Sequence, residues 1–127
     1  MDKIEYWTDL AKYDLETAKA MLNSKRYLYV GFMCHQAIEK ILKAYYVKTK
    51  TDNPPYTHNL TLLAEKTGLY VNMTEEQKDF IDFLEPLNIE ARYPMVKDKI
   101  LQILTDEKCA ELIKLTENEL TWIIKKL

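Results

Sequence analysis

The chain has 127 residues, of which 47% are hydrophobic and 30% are charged, and its formal net charge is −2. This length and hydrophobic content suit one domain with a single core, which we place at residues 1–127. The slightly acidic balance excludes the overall attraction to nucleic acid that a basic protein has, so any contact with a nucleotide or RNA must be local. No apolar run reaches the roughly 18 residues that cross a bilayer, and residues 1–5 lack the apolar core of a secretion signal. We therefore expect no membrane contact and a cytoplasmic location.

Cysteine usage argues against a metal or redox site. Cys34 and Cys109 are the only cysteines in the sequence, and neither belongs to a Cys-x-x-Cys pair or lies beside clustered histidines. Each falls on the apolar face of a predicted helix. The sequence therefore predicts two packed thiols, no metal ligands and no cofactor.

Two long amphipathic helices open the chain. Apolar residues recur at steps of three and four from Ile4 to Leu22, which predicts the first helix. A second helix is expected over residues 26–48, with a buried stripe formed by Tyr27, Val30, Cys34, Ile38, Ile41 and Tyr45. Because only residues 23–25 separate the two helices, they should pack antiparallel.

Prolines and capping residues divide the middle of the chain. Pro54-Pro55 excludes helix and predicts an extended connection, after which Thr57 or Asn59 caps a short helix that ends near Gly68. Residues 68–71 are ambiguous between strand and helix. Thr74 and the amide three residues later have the spacing of a capping box, which opens a helix that Pro86 must kink or end.

The end of the chain carries the clearest helix. Residues after Pro94 lack a clear cap, and we expect them to be irregular or to form one helical turn. Thr105 precedes Asp106 and Glu107, which suit the first turn of a last helix reaching the end of the sequence. The predicted fold is all-α, an up-and-down four-helix bundle with one additional short helix.

A polar strip on the second helix is the main candidate site. Its members lie within about 100° of one another, roughly opposite the apolar stripe; they are Gln36, Glu39, Lys40 and Lys43. Such a strip favours a solvated face, on which Glu39 and Lys43 form an i, i+4 ion pair of only about 0.3–0.5 kcal/mol. A ligand site or a subunit interface is the alternative.

A second set of candidates lies farther along the chain. Arg92 sits between two prolines, where it either fastens this segment to Glu39 or Glu90 or binds an anion, and Tyr93 beside it is a candidate for stacking. His58 lies at a predicted helix start, where a neutral ring that forms hydrogen bonds is expected. His35 borders the apolar stripe and is expected to be structural. Packing with a hydroxyl at the rim is the expectation for Tyr27, Tyr45 and Tyr46.

Three segments in order carry a resemblance to a known family. They are CHQAIEKILKAYY at residues 34–46, PPYTHNLTLLAEKTG at residues 54–68 and ARYP at residues 91–94, and together they resemble the HEPN domains, named for nucleotide binding in higher eukaryotes and prokaryotes. The resemblance implies a bundle of four to five helices that is commonly a homodimer. It also implies a small nucleotidyltransferase as partner, in a two-gene module similar to a toxin and antitoxin pair.

The chain departs from the HEPN members that cleave RNA. In those members, which the chain otherwise resembles, an Arg is followed by a His after four to six intervening residues. Arg26 and Arg92 are the only arginines, and the corresponding histidine positions hold Gly31, Phe32, Met33, Lys97, Asp98 and Lys99. The chain is therefore more consistent with a binding protein than with an enzyme.

The resemblance implies a nucleotide-binding or accessory role. In that role positive side chains would contact phosphate, polar side chains would contact base or sugar, and a ring would border the pocket; the residues are Gln36, Glu39, Lys40, Lys43, His58, Arg92 and Tyr93. Two alternatives stay open. One is a metal-independent RNase with His58 as the acid or base, and the other is a purely structural bundle that holds a partner.

Overall fold

The computed structural model describes residues 2–88 and 93–127. Within these residues the chain forms six α-helices and two 3-10 turns, with no strand, which confirms the all-α prediction. The helices are α1 Lys3–Asn23, α2 Tyr27–Thr49, α3 Leu60–Thr67, α4 Glu75–Leu84, α5 Pro94–Ile103 and α6 Asp106–Ile124. The 3-10 turns are Tyr70–Asn72 and Glu85–Leu87.

Helices α1 and α2 pack antiparallel, as their short connection predicts. Asp14 of α1 pairs with Lys40 of α2, whereas Trp7, nearer the start of α1, contacts Lys43 farther along α2. Lys25 in the connection adopts a left-handed backbone conformation with φ 59°. This conformation reverses the chain within a few residues, and the Arg26 N–H donates to the Met21 carbonyl at 2.8 Å to close the turn.

Helix α2 runs through the centre of the bundle. It packs against α1, α3 and α6, and parts of α4 and α5 also contact it. Its buried residues therefore lie around most of its circumference and include charged side chains as well as apolar ones. Gly31 permits the closest approach, since a Cβ there would lie 3.1 Å from Leu87 Cδ1 and 3.3 Å from Leu104 Cδ1.

The helix termini follow the local sequence signals. The Asn59 side chain accepts a hydrogen bond from the Leu62 N–H at 2.9 Å, and Gly68 ends α3 with φ 81°. Thr74 and Gln77 form the reciprocal capping box at the start of α4. Thr105 accepts from the Lys108 N–H at 3.1 Å at the start of α6. These caps confirm the predicted starts of α3, α4 and α6.

Two local expectations need correction or refinement. Residues after Pro94 are not irregular or a single turn, because α5 is a ten-residue helix. A proline in the first turn has the backbone angle that a helix needs, and Ile100 and Leu104 are buried one turn apart, so packing stabilises the helix without a side-chain cap. The ambiguous stretch at residues 68–71 forms no strand, and its residues 70 and 71 lie in the 3-10 turn Tyr70–Asn72.

The two thiols are packed in the core, as the sequence predicts. Cys34 and Cys109 are both buried and free. Burial raises the pKa of the Cys34 thiol to about 12 and that of the Cys109 thiol to about 11, so both stay protonated and unreactive near neutral pH. In the described part of the chain, none of the helices combines the length and the apolar content that a membrane crossing requires.

Candidate functional site

A buried carboxylate on α2 organises a cluster of polar side chains. Glu39 is only 2% exposed, and its Oε2 accepts a hydrogen bond from Lys43 Nζ at 3.0 Å. Its Oε1 lies 2.9 Å from His58 Nδ1 and 3.8 Å from His35 Nδ1. We call these four residues, His35, Glu39, Lys43 and His58, the Glu39 cluster.

The expectation of a solvated polar strip is wrong. Glu39 and Lys43 form the predicted i, i+4 ion pair, but both residues are buried, because α1 and residues 50–59 cover this side of α2. Removing one partner of a buried ion pair costs about 3–5 kcal/mol, far more than the loss of a solvated pair. The pair is therefore a structural and electrostatic element of the bundle rather than a surface feature.

Gln36 and Lys40 belong to a neighbouring link between α1 and α2. Lys40 Nζ lies 2.6 Å from Asp14 Oδ2 and 3.3 Å from Gln36 Oε1. Asp14 is buried, so the Lys40 ammonium neutralises a carboxylate that has little contact with water. Both predicted residues are thus engaged within the protein, beside the Glu39 cluster and not within it.

Residues 50–59 bring His58 to the Glu39 cluster and are held at several points. Tyr46 donates its hydroxyl to Asp52 Oδ2 at 2.9 Å, and Lys3 Nζ donates to Asn53 Oδ1 at 3.1 Å. The Thr57 N–H donates to the Pro55 carbonyl at 3.0 Å, which turns the chain just before His58. The two prolines keep this segment extended, so His58 is presented to Glu39 from outside the helices.

A groove opens between the start of α1 and this segment. It has a volume of about 480 Å³, and we call it the aromatic groove; its lining residues are Lys3, Tyr6, Trp7, Lys43, Asn53, Pro54, Pro55 and Tyr56. The Lys43 ammonium lies 5.5 Å from the centroid of the Trp7 ring, and Tyr6 packs edge-on against Trp7 with ring centroids 5.4 Å apart. Because Lys43 belongs to both features, the aromatic groove and the Glu39 cluster are continuous.

The aromatic groove combines flat rings with positive charge. Tyr56 is fully exposed at its edge, while Trp7 is half-buried in its wall. Lys3 and Lys43 supply two ammonium groups. Rings of this kind can stack on a nucleobase, and ammonium groups can attract phosphate, so the groove offers both chemical features of a nucleotide site.

His35 is the most deeply buried polar member of the Glu39 cluster. Among the described residues, neither of its ring nitrogens has a hydrogen-bond partner. Burial lowers the pKa of His35 to about 4, although the nearby Glu39 carboxylate opposes the shift. The ring is therefore neutral at physiological pH, which agrees with the structural role expected for it.

The remaining candidates are not brought into this cluster. Tyr93 is 60% exposed at the start of α5 and is absent from the lining of the aromatic groove. Arg92 and Glu90 lie outside the described residues, so a joint site containing Arg92 stays a prediction. No set of three or more His, Cys, Asp or Glu side chains in residues 2–88 and 93–127 is placed to hold a metal ion.

Sequence reasoning missed the aromatic half of the site. Trp7 falls in the apolar periodicity from Ile4 to Leu22, which predicts it as part of the buried stripe of the first helix. That periodicity does not single out Lys3 or Tyr6, and Tyr56 lies in another segment. Their sequence signals are an aromatic pair near a lysine in one segment, Lys3-x-x-Tyr6-Trp7, and a tyrosine after two prolines in the other, Pro54-Pro55-Tyr56. Nothing local joins these segments, because they meet only when residues 50–59 fold back onto α1.

This geometry defines a class of protein: an all-helical bundle with a polar cluster on its central helix and an adjoining aromatic groove. The family model described as HEPN domain matches residues 4–127, and the chain belongs to the HEPN family. No curated protein matches the chain.

Two solved structures have similar folds. TT1696 from Thermus thermophilus is 22% identical and covers 100% of both chains, with a TM-score of 0.83. ST0689, described as an archaeal HEPN homologue, is 18% identical and covers 99% of this chain and 98% of its own, with a TM-score of 0.71. At these identities the similarity establishes the fold alone.

Burial of His35 predicts a loss of stability in mild acid. Its pKa falls from 6.5 to about 4 on folding, so the unfolded chain binds the proton first as the pH drops. The stability is complete above the unfolded pKa and is lost as the pH falls towards the folded pKa. We expect this group to lower the free energy of unfolding by about 2 kcal/mol between pH 7.5 and pH 5, measured by urea titration.

Two variants isolate this effect. His35→Asn should remove most of the decrease between the two pH values, whatever its stability at neutral pH, whereas His58→Asn should retain it. An equal pH dependence in wild type and in both variants would contradict the assignment to His35.

Proposed function

We propose that this chain is a nucleotide-binding HEPN domain and that the aromatic groove is its nucleotide site. One observation carries the proposal: the groove places the rings of Trp7 and Tyr56 beside the ammonium groups of Lys3 and Lys43. A nucleotide needs a flat apolar surface for its base and positive charge for its phosphates, and the groove supplies both.

The two lysines would contribute differently to phosphate binding. The Lys43 ammonium has three N–H donors and gives a hydrogen bond to Glu39, so other donors stay available to a ligand, but Glu39 neutralises much of its charge. Lys3 is exposed and pairs with the neutral Asn53 side chain, so its full charge can attract phosphate. Lys3 should therefore provide most of the electrostatic attraction, and Lys43 a fixed donor.

The other predicted site residues take supporting roles in this proposal. Glu39 and His58 hold Lys43 and residues 50–59 in place, while Gln36 and Lys40 tie α2 to α1 beside them. Arg92, with Tyr93 next to it in the sequence, is proposed as a second contact to the nucleotide. That part of the proposal depends on Arg92 alone, since Tyr93 is not in the groove.

Nucleotide binding should depend on Tyr56 and Lys3. We expect saturable binding of at least one nucleotide when AMP, ATP, UMP and GTP are each titrated into the protein and the heat is measured by calorimetry. Because stacking on one ring contributes about 1–3 kcal/mol, Tyr56→Ala should weaken binding roughly tenfold. Lys3→Ala should weaken binding of the triphosphates more than that of the monophosphates.

Matched controls lie on the same helix outside the groove. Tyr13→Ala and Lys12→Ala remove an exposed ring and an exposed ammonium from α1, and binding should be unchanged in both. Binding that is lost in Arg92→Ala but retained in Tyr56→Ala and Lys3→Ala would move the site away from the aromatic groove. The absence of saturable binding to any of the four nucleotides would sink the proposal.

The same proposal assigns the domain an accessory role, as a homodimer working with a small nucleotidyltransferase in a module similar to a toxin and antitoxin pair. Membership of the HEPN family supports this role. Co-expression with a nucleotidyltransferase encoded beside this chain should yield a complex that survives size-exclusion chromatography. A monomer that never co-elutes with such a partner would leave nucleotide binding as a free-standing activity.

Metal-independent RNA cleavage is a second candidate function, and the contact between Glu39 and His58 favours it. A carboxylate only accepts hydrogen bonds, so His58 Nδ1 carries the proton and donates to Glu39 Oε1 at 2.9 Å. This tautomer leaves Nε2 able to accept a proton, and the side chain is 51% exposed. A histidine oriented by a buried carboxylate is suited to general base catalysis, for example on a ribose 2′-hydroxyl.

Cleavage of structured and single-stranded RNA in EDTA tests this second candidate. An RNase that uses His58 should lose at least about a hundredfold in rate in His58→Ala, since general base catalysis contributes that much or more. Glu39→Gln should lose part of the rate because its amide no longer holds the same tautomer. Cleavage unchanged in His58→Ala and Arg92→Ala, or absent in wild type, would remove these residues from catalysis.

A further inference from the structure

We propose that a second groove, between α4 and α6, binds an arginine side chain of a partner protein through the carboxylate of Glu119. The groove has a volume of about 370 Å³ and lies apart from the aromatic groove, with which it shares no lining residue. We call it the Glu119 groove, and the residues used below are Glu76, Gln77, Phe80, Leu115, Glu119 and Trp122.

Glu119 differs from the other buried carboxylates in its partners. Asp14 lies 2.6 Å from the Lys40 ammonium, and Glu39 lies 3.0 Å from the Lys43 ammonium. Glu119 is 4% exposed, yet throughout the described part of the chain no basic side chain lies within 4.0 Å of it. Within the described residues its negative charge is therefore buried without a positive charge beside it.

The hydrogen bonds of Glu119 do not replace that missing charge. The Gln77 side chain donates from Nε2 to both carboxylate oxygens, at 3.2 Å and 3.1 Å. A carboxylate has about four lone-pair positions, so one amide nitrogen leaves acceptor capacity unused. Burial raises the pKa of Glu119, and the hydrogen bond from Gln77 opposes that shift. An incoming cation would therefore stabilise this carboxylate more than it would stabilise a solvated one.

The walls of the Glu119 groove fit a guanidinium group. Trp122 lines the groove, and an indole ring attracts cations, as the Lys126 ammonium 4.8 Å from its ring centroid illustrates. Phe80 and Leu115 provide apolar surface for the alkyl part of a long side chain. A guanidinium is planar, stacks on aromatic rings and donates to a carboxylate in a forked geometry, which an ammonium cannot do.

A protein segment suits this surface better than a small cation, because the acidic surface continues beyond Glu119. A neighbouring groove of about 390 Å³ shares Glu76, Phe80 and Leu115 with the Glu119 groove and adds the carboxylates of Asp79 and Glu111. Lys108 is the basic residue that lines this neighbouring groove, and its ammonium pairs with the Glu111 carboxylate at 3.3 Å. Acidic side chains therefore outnumber basic ones along both grooves, as the binding of a basic segment requires.

A short arginine peptide tests the proposal. The probe is an acetylated and amidated peptide Gly-Arg-Gly-Arg-Gly, titrated into ¹⁵N-labelled protein, with a peptide containing glutamine in place of arginine as the ligand control. Saturable chemical-shift changes should appear at the backbone amides of Gln77 and Glu119 with the arginine peptide and not with the glutamine peptide. Since a hydrogen bond to a charged group contributes about 1.5–3 kcal/mol, Glu119→Gln should weaken binding by about tenfold or more.

Two further variants keep the result interpretable. Glu117→Gln removes the same charge from α6 outside the groove, and peptide binding should be unchanged in it. Glu76 is exposed, so Glu76→Gln should stay folded and weaken binding by a smaller factor. Thermal melting of each variant verifies that the bundle remains folded.

Three results would overturn the proposal. One is the absence of saturable shifts at Gln77 and Glu119 in wild type, and another is an equal loss of affinity in Glu119→Gln and Glu117→Gln. The third is binding of spermidine as tight as that of the arginine peptide and equally dependent on Glu119, which would make this a polyamine site. None of these results bears on nucleotide binding, because the aromatic groove uses other residues.

Discussion

The buried carboxylate of Glu39 is the constraint on which the rest of the site depends. Moving a carboxylate out of water costs several kcal/mol, so the folded chain must keep compensating groups beside it. Lys43 is supplied by the same helix one turn later, but His58 must come from residues 50–59. That requirement holds the extended segment against α2, and the contact between Lys3 and Asn53 holds the same segment against α1. The aromatic groove exists because these three parts of the chain are joined around one charge.

The central position of α2 explains why polar side chains are buried in the first place. A helix that contacts α1, α3 and α6 has no wide face left for solvent along its middle, so a polar residue that is buried there needs a partner inside the protein. Lys40 with Asp14 and Lys43 with Glu39 meet that demand as two ion pairs, both near the contact with α1. Among the described residues His35 has no such hydrogen-bond partner, and burial keeps its ring neutral, which makes the bundle sensitive to mild acid. Stability and site geometry are therefore set by the same few residues.

Local signals predicted most of the fold, whereas the site needed contacts between distant segments. The caps at Asn59, Thr74 and Thr105 are decided within four residues of chain, and the structure confirms each. Burial of the strip around Glu39 is not a local property, since an i, i+4 pair has the same spacing whether water or α1 covers it. Helix α5 escapes prediction because packing stabilises it and no side chain caps it. Trp7 and Tyr56 are 49 positions apart in the numbering, and no pattern in the sequence brings them to one groove.

Comparison of Glu39 with Glu119 separates a structural carboxylate from one suited to a ligand. Both lie in the interior, and the sequence presents both as ordinary members of charged helix faces. Glu39 has an ammonium and an imidazole within hydrogen-bonding distance, so an additional cation would have to displace a group already bound. Glu119 has an amide, which offers a dipole where Glu39 has a charge, and it lines an open groove beside Trp122. A buried charge such as that of Glu119, which has no counter-charge among residues 2–88 and 93–127 and lines a groove, gains most from a cation brought by another molecule.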